Sequence, residues 1–308
     1  MLGRGVAEVL GAARPSSIVA DEIAQLTRAA DLFVLNLECC ISERGSRWDA
    51  PGKPFFFRAP PLAIELLTHL GVDCVTLANN HALDYGPVAL VDTLRALHAA
   101  GIATAGAGAN LAEARAPALL QSGGYRLAVL GVADHPDDFA AGPDRPGIAW
   151  VSLEHGVPSW IRCAIAASAA DGVLVSPHWG PNMTEEPSGS IRAFARELLE
   201  AGATLIAGHS AHVFHGVQER VLYDLGDFID DYAVDPTLRN DLGLLFLVTL
   251  DAKGPRSLEA VPLHLGYAHT RLAEGKESEW IDARFRAACS ALGTAVEQRD
   301  GRLVVSWK

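Results

Sequence analysis

The sequence predicts an α/β fold in which two sheets pack face to face with helices outside. Three observations carry that prediction. Helix-like and strand-like segments alternate from residue 15 to residue 207, strand follows strand over 213–265, and polar residues gather where the predicted strands end.

The elements follow in order. Residues 15–30 place Ile18, Val19, Ile23 and Leu26 at helical spacing, with Ser16 or Ser17 as N-cap. Residues 31–37 (DLFVLNL) read as a buried strand. A loop rich in Gly, Pro and charge over 42–60 leads to a helix at 61–70, where Pro60-Pro61 suit the first turn and Gly71 the stop. Residues 72–78 form the next strand, 87–100 the next helix with Gly101 as its end, and 102–105, 118–121 and 125–132 further strands. A helix over 157–169 precedes strand 172–176, and one over 190–201 precedes strand 204–207. Strands at 213–218, 220–225, 242–250 and 258–265 come next, then a helix near 278–292 and an edge strand at 302–306. No linker, low-complexity segment or repeat interrupts them, so 1–308 reads as a single domain.

Composition narrows the function classes. With 49% hydrophobic and 20% charged residues, disorder is excluded over most of the length. A chain of 308 residues buries enough surface to need no staples. The 37 acids against 25 bases give −12, which argues against a nucleic-acid surface and repels a polyanion except at a locally basic or metal-loaded site. Five cysteines, odd in number and without a CxxC pair, read as reduced thiols of a cytoplasmic protein. Residues 1–17 lack the apolar core of a signal peptide, and no run approaches the roughly 20 apolar residues of a membrane span. The expected partner is a small molecule, with no membrane and no nucleic acid.

The strand endings hold the chemistry. Strand 31–37 ends in Asn36-Leu37-Glu38, and strand 72–78 runs into Asn79-Asn80-His81 with Asp84-Tyr85-Gly86 beyond. Strand 172–176 ends in Pro177-His178-Trp179-Gly180, and strand 204–207 in Gly208-His209-Ser210-Ala211-His212. Ligands of open α/β sheets bind beyond the carboxyl ends of strands, so four such endings point at one crevice. His209 and His212 stand three apart in a turn opened by Gly208, whose tight bend lets both imidazoles face one point. With Glu38, Asn80 and His178 they make a mixed nitrogen and oxygen set suited to a divalent metal such as Zn, Mn or Fe. Such a metal acidifies bound water and polarises a phosphoryl or carbonyl oxygen. His81 is the natural general acid, with Asp84 fixing its tautomer or, alternatively, serving only as a turn residue.

The chain resembles the CapA family of poly-γ-glutamate capsule biosynthesis proteins, whose fold belongs to the metallophosphoesterase-like superfamily. The matching stretches include Asn36-Leu37-Glu38, Phe57-Arg58-Ala59-Pro60, the run from Val75 to His81 with Asp84-Tyr85-Gly86, and Gly106-Ala107-Gly108-Ala109-Asn110. His178-Trp179-Gly180, Gly208-His209-Ser210-Ala211-His212 and the run from Tyr223 to Ile229 continue the match in order over about residues 1–250. The resemblance implies a four-layer α/β/β/α sandwich of metallophosphatase type, completed by 251–308, and a site built from Glu38, Asn80, His81, His178, His209 and His212.

Two departures stand out. The family usually opens with a strand ending in Gly-Asp just before a stretch like Met1-Leu2-Gly3-Arg4, and that aspartate is not in this sequence. Two alternatives follow: the start lies upstream, or this member lacks one metal carboxylate. Asp227 stands where the family more often has asparagine, within a stretch over 224–241 that holds six aspartates. Asp230-Asp231 and Arg239 are expected either to replace lost polar functions near the site or, for the two aspartates by default, to form a solvated acidic loop.

Lys53 and Arg58, in the loop after Glu38, are candidates to clamp a substrate carboxylate or phosphate. Trp179 is a further substrate-contact candidate, with loop packing as its alternative. Cys39-Cys40 are expected in the core, and Gly106-Ala107-Gly108 is expected to turn the chain into a short helix over 111–116. The leading function is a metal-dependent hydrolase or transferase on a phosphoester or γ-glutamyl-type amide. In the alternative, His81, His178, His209 and Asp227 perform metal-free acid–base work, a dehydration or cyclisation of a small specialised metabolite. A non-enzymatic accessory subunit of a capsule-synthesising complex ranks third.

Overall fold

Three buried apolar cores divide the chain into layers in the computed structural model, which describes residues 1–12, 17–49 and 52–307. A six-stranded sheet has the order Val217–Gln218, Val221–Leu222, Leu205–Ala207, Gly172–His178, Tyr125–Ala133, Ala118–Ser122. Its middle strands are parallel and its outermost pairings antiparallel. Facing it are two shorter sheets. One is parallel, in the order Val34–Asn36, Cys74–Thr76, Ala103–Ala105. The other is antiparallel, in the order Leu242–Asp251, Gly254–Gly266, Arg302–Ser306, Glu297–Arg299, with His269–Leu272 also on Gly254–Gly266.

The period of two along each strand explains the layering. Leu127, Val129 and Leu174 point into the core between the sheets, together with Leu244, Leu258 and Leu303. Their sequence neighbours Ala128, Leu130, Val173 and Val175 point the other way, onto helices Ser159–Ala167 and Gly189–Glu200. On the opposite side Val75, Leu245 and Leu263 meet helices Arg4–Ala12, Asp21–Ala29, Ala63–His69 and Gly86–Ala99. Helix, sheet, sheet, helix is the four-layer α/β/β/α sandwich. Each fully buried Leu or Val contributes about 1.5–3 kcal/mol relative to exposure. Helix Lys276–Ala291 inserts Ile281, Phe285 and Cys289 into the inter-sheet core.

The structure departs from expectation at several elements. Helix Arg4–Ala12 was not foreseen, and the helix expected over 15–30 begins only at Asp21. Of its two proposed caps, Ser16 lies outside the described residues, as does Pro15, and Ser17 sits in a turn before the helix. The strands expected at 213–218 and 220–225 shrink to Val217–Gln218 and Val221–Leu222, with the isolated Phe214–Leu225 bridge continuing their pairing toward the histidine turn. Arg302–Ser306 is interior to its sheet, and the edge is Glu297–Arg299. The short helix Leu111–Arg115 forms as expected, with the Asn110 side chain accepting from the Glu113 amide.

Candidate active site

Of the polar endings of the parallel strands Val34–Asn36, Cys74–Thr76, Gly172–His178 and Leu205–Ala207, Asn36, Glu38, His209 and His212 line one cavity, and side-chain contacts join Asn79, His81 and His178 to them. Asn79 Nδ2 donates to Asn36 Oδ1 (2.9 Å) and Asn36 Nδ2 to Glu38 Oε2 (3.1 Å), tying the first two endings together. His178 and His209 join the other two through a 2.8 Å contact between their Nδ1 atoms. His209 Nε2 also meets Ser176 Oγ at 3.2 Å, so both of its ring nitrogens have protein partners.

Two imidazoles are held by carboxylates. His81 Nδ1 is 2.6 Å from Asp84 Oδ2, leaving Nε2 4.0 Å from Glu38 Oε1. Asp84 therefore orients His81 and also accepts from the Phe57 amide at 2.6 Å. His212 Nδ1 lies 3.0 and 3.1 Å from the two oxygens of Asp227. Each carboxylate fixes one nitrogen and frees the other for ligation or proton transfer.

Charge states divide the cluster. Burial, reinforced by His209, His135, His212 and His81, holds His178 well below its ordinary value. Burial, with His212 and His135, likewise lowers His209 to about 3. Burial also acts to lower His212, but the charge and hydrogen bond of Asp227, with Glu38 and Asp224 beyond, push it up to about 10. Asp227 is drawn down despite its burial by His212. Burial and the neighbouring Asp227 hold Asp230 well above the carboxylate range. These directions favour an ionised Asp227 against a protonated His212, with the proton of the carboxyl pair on Asp230.

The histidine turn is built by close approach. A Cβ on Gly208 would lie 2.3 Å from the Tyr223 carbonyl oxygen and 2.5 Å from Trp179 Nε1. The unusual backbone expected there falls instead on Ser210 (φ 135°) and His212 (φ 61°). Asp224, buried and raised to about 7, stabilises the turn by accepting from the Ala211 and Gly226 amides at 2.8 and 2.9 Å.

Several expected roles are corrected by position. Asp230 and Asp231 are buried, not solvated, and Asp231 accepts from the Gly5 amide (2.8 Å) and Arg4 Nε (3.2 Å). Trp179 is buried at 2% exposure and donates to the Tyr223 carbonyl, so it packs the loop instead of meeting substrate. Arg239 is committed to a two-pronged pair with Asp241 and lies over the Trp280 ring. Lys53 Nζ sits 2.6 Å from Asp84 Oδ1, backing the His81 pair, and the Arg58 guanidinium lies over the Tyr85 ring at 4.1 Å. Cys39 and Cys40 are buried, and burial pushes the Cys39 thiol up to about 11. Asp134 and His135 were missed: the two side chains pair, and the His135 ring stands 5.0 Å from that of His178. They directly follow strand Tyr125–Ala133, so the strand-ending rule finds them once that strand is given its full length.

The donor set fits a divalent cation. Glu38 Oε1, Asn80 Oδ1 and His178 Nε2 are buried without a hydrogen-bond partner, and all are oxygen or imidazole donors. Among the described residues no group of three or more His, Cys, Asp or Glu side chains is placed to hold a metal ion by itself, and Asn80 is the amide donor alongside Glu38 and His178 among the unpartnered oxygens and nitrogens.

The sequence model described as "Bacterial capsule synthesis protein PGA_cap" matches residues 1–232. The chain is 33% identical over 297 residues to a probable polyglutamine synthesis accessory protein of Mycobacterium tuberculosis, covering 90% of this chain and 77% of that one. It is 29% identical to the PGA biosynthesis protein CapA of Bacillus subtilis over 75% of this chain and 61% of that one. With the capsule biosynthesis protein CapA of Bacillus anthracis it shares 26% identity, over 86% and 65% of the two chains.

Proposed function

The chain belongs to the bacterial capsule synthesis family PGA_cap, and from that premise we propose that it is a hydrolase or transferase acting on a γ-glutamyl amide or a phosphoester with a divalent cation. The observation that carries this reading is that Glu38 Oε1, Asn80 Oδ1 and His178 Nε2 are buried without partners at strand endings that also carry two carboxylate-oriented imidazoles.

Glu38, Asn80 and His178 would hold the cation, which when bound supplies Lewis acidity toward a carbonyl or phosphoryl oxygen. That charge also suits a chain of net −12 that takes an anionic substrate. His212, protonated near neutrality and held at Nδ1 by Asp227, carries a proton on Nε2 for a leaving group. His81, fixed by Asp84, presents Nε2 beside Glu38 to orient or deprotonate the attacking group. Hydrolysis of γ-glutamyl-p-nitroanilide and p-nitrophenyl phosphate with added Mn²⁺ or Zn²⁺ tests the reading. Turnover of at least one substrate should require metal, and His212→Gln should lower kcat by about 10²–10⁴. Turnover unchanged by EDTA would overturn it.

A second reading has an observation of its own. His212 is protonated while His178 and His209 are neutral, an acid and a base side by side. That pairing suits a metal-free dehydration or cyclisation. In that case His178→Ala abolishes turnover of a small metabolite and chelator does nothing.

A further inference from the structure

Arg4 opens helix Arg4–Ala12 with its backbone at φ 51°, a conformation that costs energy in any residue with a side chain and is usually left to glycine. Aromatic rings cage its guanidinium: the central carbon lies 4.9 Å from the centre of the Phe55 ring, 5.7 Å from Phe57 and 5.8 Å from Tyr232. Two of these rings lead to the crevice. Phe57 stands 4.3 Å from the His81 imidazole and Tyr232 stands 5.1 Å from that of His212. The cation is therefore one ring away from each carboxylate-held histidine. Burial, with the charges of Asp227, Glu38 and Asp230, pushes the Tyr232 phenol up, and Arg4 acts against them, so the fields of Arg4 and three carboxylates meet at one phenol.

Only part of this guanidinium is spent on the fold. Arg4 Nε reaches Asp231 Oδ2 at 3.2 Å, and the same oxygen accepts from the Gly5 amide at 2.8 Å. Arg4 Nη1 is buried without a partner, as is Asp231 Oδ1, so the pair is single-pronged where arginine and a carboxylate are frequently two-pronged. A buried donor left unmet is costly, and a donor in that state points to a ligand. The Arg4 side chain is still 34% exposed, which leaves a solute access to it. The two cations of the loop after Glu38 are committed elsewhere, Lys53 to Asp84 and the Asn80 carbonyl, and Arg58 to the Tyr85 ring. We infer that Arg4 is the oxyanion anchor of the crevice, holding a carboxylate or phosphate group of the substrate. Asp231 fixes the guanidinium from one side, and Phe55, Phe57 and Tyr232 wall it. A planar guanidinium, always charged and weakly hydrated, keeps its in-plane donors for such a group while aromatic faces cover it. The assignment deepens the proposed function, on which it rests for the crevice being the site, and the contact itself needs no cation.

The test uses the chelated protein and no turnover. Phenylglyoxal, which modifies accessible arginines, should label Arg4 by peptide mass, and glutarate or inorganic phosphate should protect it. Protection by glutarate alone assigns a carboxylate, by phosphate alone a phosphate, and by both an oxyanion of either kind. Glutaramide, the neutral counterpart of glutarate, should not protect. Arg4→Gln should weaken calorimetric binding of the protecting anion by about ten- to a hundredfold, and Arg4→Lys, which keeps the charge without the planar fork, should recover only part of that loss. An Arg4 label that is absent, or indifferent to both anions, overturns the inference, as does equal protection by glutaramide. So does an Arg4→Gln protein that keeps its fold by circular dichroism and binds the anion as tightly as the unaltered chain. The labelling arm needs no variant and decides the matter should Arg4→Gln not fold. Failure here leaves the hydrolase or transferase reading intact, and absence of metal-dependent turnover leaves this contact intact.

Discussion

His212 concentrates the residue-scale argument. It adopts φ 61°, is 7% exposed, and is held by Asp227 in a cluster whose other two histidines are neutral. Its raised value, about 10 against 6.5, stabilises the fold fully below pH 6.5, and the contribution is lost as pH rises through 10. Asp224, raised from 3.8 to about 7, has a contribution that fades as pH rises from 3.8 through 7, and Asp230, held well above 3.8, shifts in the same direction. His209, lowered to about 3, acts in the opposite sense: its contribution is full above 6.5 and lost as pH falls toward 3, and His178 follows the same direction. Below pH 6.5 these two carboxyls and two imidazoles oppose each other, so thermal unfolding of the chelated protein should show a Tm that changes little between about pH 4 and 6.5 and falls as pH rises above it. His212→Gln should flatten the alkaline limb, and an unchanged limb would show that this imidazole is not charged. Asn36, Glu38, His81 and the three clustered histidines were legible because each follows a strand. Asp224 and Asp230 were not, because an aspartate-rich stretch reads as solvated until burial is known.

At the scale of elements, turns place the chemistry and strands supply the direction. Alternation of apolar periods located the strands to within a few residues, and the register of Gly172–His178 against Tyr125–Ala133 then carries His178 to the sheet's end. The turn after Leu205–Ala207 was read correctly as needing glycine but for a different reason. Gly208 leaves no room for a Cβ between Tyr223 and Trp179, so Gly208→Ala should cost on the order of 1–3 kcal/mol by overpacking, measured by chemical denaturation. Phe57 plays the matching part for His81: it is fully buried, its ring centroid lies 4.3 Å from the imidazole, and its amide donates to Asp84. Phe57→Ala should destabilise the protein by about 3–5 kcal/mol, measured the same way. A loss below about 1 kcal/mol would mean that the loop after Glu38 is not part of the core. The shortening of the strands near 217 and 221 was beyond sequence reasoning: Phe214 and Leu225 keep one bridge of the ladder, while Asp224 turns its side chain to the Ala211 and Gly226 amides.

Across the whole molecule, the sandwich brings two sets of strand endings into one crevice. Asn36, Glu38, Asn80 and His81 come from the three-stranded sheet, and His178 and His209 from the six-stranded sheet. The net charge of −12, which first argued only against nucleic acid, is now partly spatial: Asp227 and the buried Asp224 hold His212 protonated, while the buried Asp231 accepts from the Gly5 amide and holds the first helix in place. The proposed function makes the unpartnered oxygen and imidazole donors of Glu38, Asn80 and His178 the seat of a cation. Calorimetric titration of Mn²⁺ or Zn²⁺ into the metal-free protein, its His178→Ala variant and its Glu38→Gln variant tests that claim most directly. One cation should bind the unaltered chain, and each variant should bind it at least about a hundredfold more weakly while keeping its fold by circular dichroism. Absence of binding to the unaltered chain, or equal affinity in all three, would contradict it.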